Sequence, residues 1–144
     1  MLFKNYNQII DNGKTTNLKQ IRRDILDIFS SAIESVNPYS SVKKIIQNNK
    51  IIVNSKVFNI SDFENVYLVG FGKASVGMSQ AICDSIKIKQ GVVITNSKES
   101  IVKDNNISTY FGNHPIPDQK SIDATDKIIS LLKKISKSFF FVFF

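Results

Sequence analysis

The segment Val66-Tyr67-Leu68-Val69-Gly70-Phe71-Gly72-Lys73-Ala74-Ser75 sets the architecture of this 144-residue chain. Val66 to Val69 is a continuous apolar run, as expected of a strand covered on both faces and lying centrally in a sheet. The glycines that follow allow a tight turn, and Ala74, Met78, Ala81, Ile82 and Ile86 then recur at helical spacing. Gly91-Val92-Val93-Ile94-Thr95 is a second apolar strand. Strand, helix and strand in this order form a βαβ unit with parallel strands.

The same alternation continues outward in both directions. Upstream, Ile21, Ile25, Ile28, Phe29, Ala32, Ile33 and Val36 mark an amphipathic helix over Leu18 to Val36, with Asn17 placed as its N-cap. Asn37-Pro38 ends it and starts a short helix over Tyr39 to Gln47. Ile51 to Val53 and Val57 to Ile60, separated by Asn54-Ser55-Lys56, read as a small hairpin or as two peripheral strands. Downstream, Ile107 to Phe111 is a strand, Gly112 to Asp118 a stiff loop, and Ser121 to Lys134 a helix turning Ile122, Ile128, Ile129, Leu132 and Ile135 to the core. Ser138 to Phe144 begins another strand. The fold class expected is α/β, a doubly wound, mainly parallel Rossmann-like sheet, incomplete at its carboxyl end. Residues 1–17 read as a polar extension and residues 18–144 as part of one domain.

Composition narrows the function. With 42% hydrophobic residues the chain can bury a real core. Its net charge of +7 is spread over lysines scattered singly and in pairs, with no basic stripe and no interleaved aromatics, which argues against a nucleic-acid partner. Abundant Lys, Asn, Ile and Phe together match A/T-rich coding, which accounts for much of the basic excess. The single cysteine, Cys83, excludes an internal disulfide framework and reads as a buried structural thiol. Met1 to Asn12 lacks the order of a signal peptide, and no apolar run approaches the roughly 20 residues that span a bilayer. The expectation is a soluble cytoplasmic protein with no membrane partner.

Gly70-Phe71-Gly72-Lys73-Ala74-Ser75 follows a strand and opens a helix, so its backbone N–H groups face whatever binds there, and it reads as an anion site. It is not a dinucleotide fingerprint: Ser75 stands where the third glycine belongs, and the next strand ends in Thr95-Asn96 with no acid to hold a ribose. Nor is it a P-loop, since the upstream glycine and the following Ser or Thr are missing. Lys73 is the sharpest residue, because an ammonium at a helix start is repelled by the helix dipole unless an anion compensates. From position alone, an anion-binding lysine and a solvated lysine bent out of a surface turn fit equally. Gly112-Asn113-His114-Pro115-Ile116-Pro117-Asp118 holds the single histidine and two of the three prolines. Asp118 reads as an N-cap. His114 and Asn113 either tie the loop together or stand at the mouth of a cleft, and the residues leave both open. Arg22-Arg23-Asp24 reads as a solvated helix face.

Taken together, these segments resemble the amino-terminal domain of glycerate 2-kinases of the MOFRL type, some labelled hydroxypyruvate reductase. The resemblance runs from Leu18 to about Leu132 and rests on Arg22-Arg23-Asp24 with Val36-Asn37-Pro38, Val69 to Ser75, Gly91 to Thr95, and Gly112 to Asp118 followed by Ser121. It implies transfer of the γ-phosphoryl group of ATP to the 2-hydroxyl of D-glycerate, assisted by Mg²⁺. It further implies Lys73 as the catalytic residue, with Gly70, Gly72, Ala74, Ser75, Asn113 and His114 binding phosphate or substrate. A homo-oligomer is left open. The family pattern continues into a Ser-Gly-Gly-Gly-Ser loop and a second domain, where this chain reads Ser138-Phe139-Phe140-Phe141-Val142-Phe143-Phe144. The expectation is a gene fragment, inactive in isolation and prone to associate through that tail. The rivals are a non-catalytic module binding phosphate or carboxylate, and a remnant without function.

Overall fold

The computed structural model describes residues 2–135 and 139–143. The chain divides into two compact units, residues 1–37 and residues 38–144. In the first, helix α1 (Tyr6–Asp11) precedes helix α2 (Thr16–Ser35). The two are joined by Tyr6, whose hydroxyl donates to Asp27 at 2.9 Å, and by a Lys19–Asp11 ion pair at 3.1 Å. The N-cap of α2 is Thr15, not Asn17: the Thr15 hydroxyl accepts from the Leu18 N–H at 3.2 Å, so the helix begins before its first apolar residue. The start of the chain, read only as a polar extension, contains α1, which buries Ile10.

The stripe that identifies α2 in the sequence is present but uncovered. Leu26 is buried, whereas Ile21, Ile25, Ile28, Phe29, Ile33 and Val36 are exposed, up to 73% for Val36. Amphipathic spacing fixes the helix and says which side seeks cover, without saying what supplies it.

The second unit opens with helix α3 (Pro38–Ile45), where proline takes the first helical position. A three-stranded antiparallel sheet follows: β1 (Ile46–Gln47), β2 (Lys50–Val53) and β3 (Lys56–Asn59). The pairing of Val53 with Lys56 leaves a two-residue turn, and Asn54 adopts a positive φ of 54°, which asparagine tolerates. The main sheet comprises β4 (Asn65–Phe71), β5 (Gln90–Thr95), β6 (Ile107–Phe111) and β7 (Phe139–Phe143) in the order β6-β5-β4-β7, all parallel. Helix α4 (Ser75–Cys83) connects β4 to β5, and α5 (Gln119–Lys133) lies between β6 and β7 in the chain. The strand expected over 138–144 is met by the backbone of Phe139–Phe143; Ser138, Phe144 and the side chains of the phenylalanines in β7 lie outside the described residues.

Alternation along the strands builds two cores. Val66, Leu68, Val93 and Ile107 point to one face, with Ala81, Ile82, Ile86 and Ile88 and with Val42 and Ile51. Val69 and Val92 point to the other, against Leu131 and Ile128, so the sheet is covered by helices on both sides. Gly91 is required there: a Cβ would come within 2.5 Å of Ile107 Cδ1 and 2.8 Å of the Leu68 carbonyl oxygen. Cys83 is half-buried beside this core, and burial pushes its thiol up to about 12, in keeping with a structural role. Helix α5 corrects its sequence reading. It packs through Ala124, Ile128, Leu131 and Ile135, while Ile122, Ile129 and Leu132 face out. Broad apolar coverage of α5 left the seam ambiguous by about one helix position, and the sheet uses only one narrow line.

This order has a consequence for ligand binding. Chain connections leave β4 in one direction towards β5 and β6, and the later strand β7 pairs on its other side. Ligands of open α/β sheets bind beyond the carboxyl ends of the strands, beside such a reversal. The carboxyl end of β4 is Gly70-Phe71, so the Gly70 to Ser75 turn lies at that point.

Candidate functional site

Gly70 is still part of β4, paired with Val93, and buried. The turn itself is made by Gly72, whose φ of +101° is one that residues with a Cβ rarely adopt, and whose N–H donates to the Ile94 carbonyl at 3.1 Å. Nothing lies within 4 Å of where a Gly72 Cβ would stand, so the glycine serves the backbone conformation and not close packing. Ser75 is fully buried, its hydroxyl 2.8 Å from the Gly72 carbonyl and 3.1 Å from that of Ile94. Its N–H also donates to Gly72. Ser75 therefore braces the turn against β5 from below, and its side chain is directed away from any ligand above the strands. Ala74 caps α4 without a side-chain hydrogen bond, and the first turn of α4 contains no acid.

Lys73 stands between these two residues, exposed, and among the described residues no carboxylate forms an ion pair with it. It lines a cavity of about 520 Å³ over the carboxyl ends of β4, β5 and β6. Phe71, Gly72 and Lys73 form one wall, Ile94, Thr95 and Asn96 the floor, Gly112, Asn113, His114 and Pro117 a second wall, and Ser121, Thr125 and Ile128 of α5 the far side. The two motifs read separately in the sequence thus meet in one cavity. Gly70, Ala74 and Ser75 support the turn without lining it.

The second wall is held by its own hydrogen bonds. Ser121 Oγ accepts from the N–H groups of Asn113 (2.9 Å) and Asp118 (3.3 Å), while Asp118 Oδ1 accepts from the Ser121 N–H at 3.1 Å in a capping box. The N-cap reading of Asp118 holds. The His114–Pro115 peptide is cis, and the His114 N–H donates to Asn113 Oδ1 at 3.0 Å, so it is the backbone of His114 that ties the loop while its exposed side chain lines the cavity. Arg22, Arg23 and Asp24 serve their own unit: Arg22 donates to the Ile9 carbonyl, and Gln20 bridges Arg23 and Asp24. Sequence reasoning missed the apolar floor and far side, Ile94, Thr125 and Ile128. The position of Thr95-Asn96 directly after β5 carried part of that signal.

An inner parallel strand ending in a glycine turn, a helix start without a side-chain cap, and a lysine that makes no ion pair among the described residues stand over one open cavity in an α/β fold. The chain belongs to the family described as a domain of unknown function, DUF4147, whose model matches residues 24–144. It is 34% identical over 117 residues to a glycerate 2-kinase of Pyrococcus horikoshii, covering 79% of this chain and 26% of that protein. A crystal structure of a Pyrococcus horikoshii protein matches with a TM-score of 0.72 at 30% identity, over 85% of this chain and 28% of that one. The crystal structure of a glycerate kinase from Thermotoga maritima matches with a TM-score of 0.65 at 25% identity, over 83% and 26%. The glycerate 2-kinase resemblance drawn from the motifs is shown, and so is the Rossmann-like α/β fold. The chain spans about a quarter of the length of the curated relatives it matches.

Proposed function

We propose that this chain forms one wall of the active site of a cytoplasmic glycerate 2-kinase, which transfers the γ-phosphoryl group of ATP to the 2-hydroxyl of D-glycerate. The observation that carries the reading is the exposed Lys73 at the carboxyl end of β4, opposite Asn113 and His114 across one cavity. Phosphoryl transfer asks the protein for positioning and for compensation of negative charge, with little covalent chemistry of its own. Lys73 supplies a cation on a turn fixed by Gly72 and Ser75, at a helix start where no carboxylate among the described residues pairs with it. The triphosphate is that counter-charge, and the bond from the γ-phosphorus to the β-phosphate oxygen breaks as the bond to the glycerate oxygen forms, ADP leaving and the hydroxyl proton passing to solvent. His114 and Asn113 confine the reacting groups from the other side.

The residues fit phosphate better than metal. Among the described residues no group of three or more His, Cys, Asp or Glu is placed to hold a metal ion, and the cavity wall carries no carboxylate. No step is therefore assigned to Mg²⁺ through this chain.

The test is a chimaera in which this chain replaces the matching segment of the Pyrococcus horikoshii glycerate 2-kinase. Glycerate-dependent ADP release is expected from the chimaera and not from the chain alone. Lys73→Met in the chimaera is expected to lower turnover by about 10²–10³-fold. Near-normal turnover by that variant would overturn the role given to Lys73.

A further inference from the structure

The cavity has two chemically different ends, and the difference arises from where its polar groups are already engaged. On the α5 side, the Thr125 hydroxyl donates to the Ser121 carbonyl at 2.8 Å. The Ser121 hydroxyl is occupied by Asn113, Asp118 and the carboxylate of the capping box. Thr95, on the floor, is 3% exposed and its hydroxyl accepts from Ser97. With these groups satisfied, what remains for a ligand at that end is the hydrocarbon of Ile94, Pro117, Thr125 and Ile128. Above that hydrocarbon, at the strand ends, Lys73 offers a cation on one wall, Asn96 an amide on the floor and His114 an imidazole on the facing wall.

Glycerate has no apolar part. It is a three-carbon acid with two hydroxyls, and it fills only a small share of about 520 Å³, a volume in the range of about 300–1,000 Å³ that holds ligands of several hundred daltons. A molecule with one flat, weakly solvated end and one polyanionic end matches both the volume and the asymmetry. We infer that the apolar end of this cavity receives the base of a nucleoside polyphosphate, packed against Ile94, Pro117, Thr125 and Ile128, with its phosphates directed to Lys73. The inference rests on the kinase reading for the presence of a nucleotide, and adds where this chain holds it and which residues recognise its base.

Isothermal titration of the whole 144-residue chain with ATP, ADP, adenosine and inorganic tripolyphosphate tests it without any turnover. ATP and ADP are expected to bind at least tenfold more tightly than tripolyphosphate, and adenosine to compete with them. Thr125→Trp, which fills the apolar end, is expected to weaken ATP and ADP at least tenfold while leaving tripolyphosphate unchanged. Lys73→Met weakens all three anions. Equal binding of ATP and tripolyphosphate to the unmodified chain, or an adenosine that does not compete, overturns the inference whether or not the variant folds. A folded Thr125→Trp chain, checked by circular dichroism, that still binds ATP normally overturns it as well. Nucleotide binding of the expected pattern together with an inactive chimaera would sink the kinase reading and leave this site standing.

Discussion

Two helices begin at the same end of the main sheet, and they begin differently. Helix α5 is closed by its own sequence: Asp118 and Ser121 exchange hydrogen bonds, and Ser121 Oγ also gathers the N–H of Asn113. Helix α4 starts at Ala74, which contributes no side-chain cap, and is preceded by a lysine whose charge opposes the helix dipole. One start is closed by its own side chains, and the other is not. The contrast separates residues that hold the cavity together from residues that use it, and substitutions on the two sides should separate stability from binding.

The largest loss of stability is expected at Ser121→Ala. It removes the acceptor of two backbone N–H groups at once and half of a capping box, and with net values near 1 kcal/mol per hydrogen bond the cost is about 2 kcal/mol. Chemical denaturation of the chain measures it, and a change below about 0.5 kcal/mol would mean that the second wall is held by something other than this hub. Next comes Gly72→Ala. The space beside Gly72 is open, so the penalty is conformational only, about 1–2 kcal/mol for a residue with a Cβ at φ +101°. An unaffected Gly72→Ala variant would show that the turn relaxes into another conformation, and the rigid platform given to Lys73 would fail with it. Asp118→Ala is expected to cost about 1 kcal/mol, the ordinary value of an N-cap, while leaving ATP binding unchanged because the carboxylate does not line the cavity.

How much of this was legible beforehand follows from which signals are local. The βαβ unit, the hairpin, the Asp118 cap and the Gly72 turn are written in residues a few positions apart, and all appear where the sequence puts them. The meeting of Lys73 with His114 follows from strand order, since parallel β4, β5 and β6 carry both loops to one edge. What failed depends on partners distant in sequence. Periodicity cannot say that α5 packs along Ala124, Ile128 and Leu131 while Ile129 and Leu132 face out, because both lines are apolar. Nor does it tell that Ile25 and Ile28 on α2 lack cover. The resemblance implies Ser75 as a binding residue; that its side chain is buried beneath the turn, bonded to the Ile94 carbonyl, depends on β5 and is not visible locally.

The smallest stability change is expected where the functional change is greatest. Lys73 is exposed, among the described residues it makes no ion pair, and its neighbours already fix the turn, Gly72 through its N–H and Ser75 through its hydroxyl, both donating to the Ile94 carbonyl. Replacing it by methionine keeps an unbranched side chain, one atom shorter, and removes the ammonium. Surface substitutions that break no cap, core contact or paired charge stay within about 0.5 kcal/mol, and relief of the ammonium from the start of α4 adds a few tenths in favour of the variant. The denaturation midpoint of Lys73→Met should therefore equal or slightly exceed that of the unmodified chain, while its ATP binding falls. A clear loss of stability would place Lys73 among the residues that hold the turn and erase the contrast between the two helix starts. Unchanged stability with lost binding would show that α4 carries at its start a charge the fold does not need, retained for an anion that the chain itself does not supply.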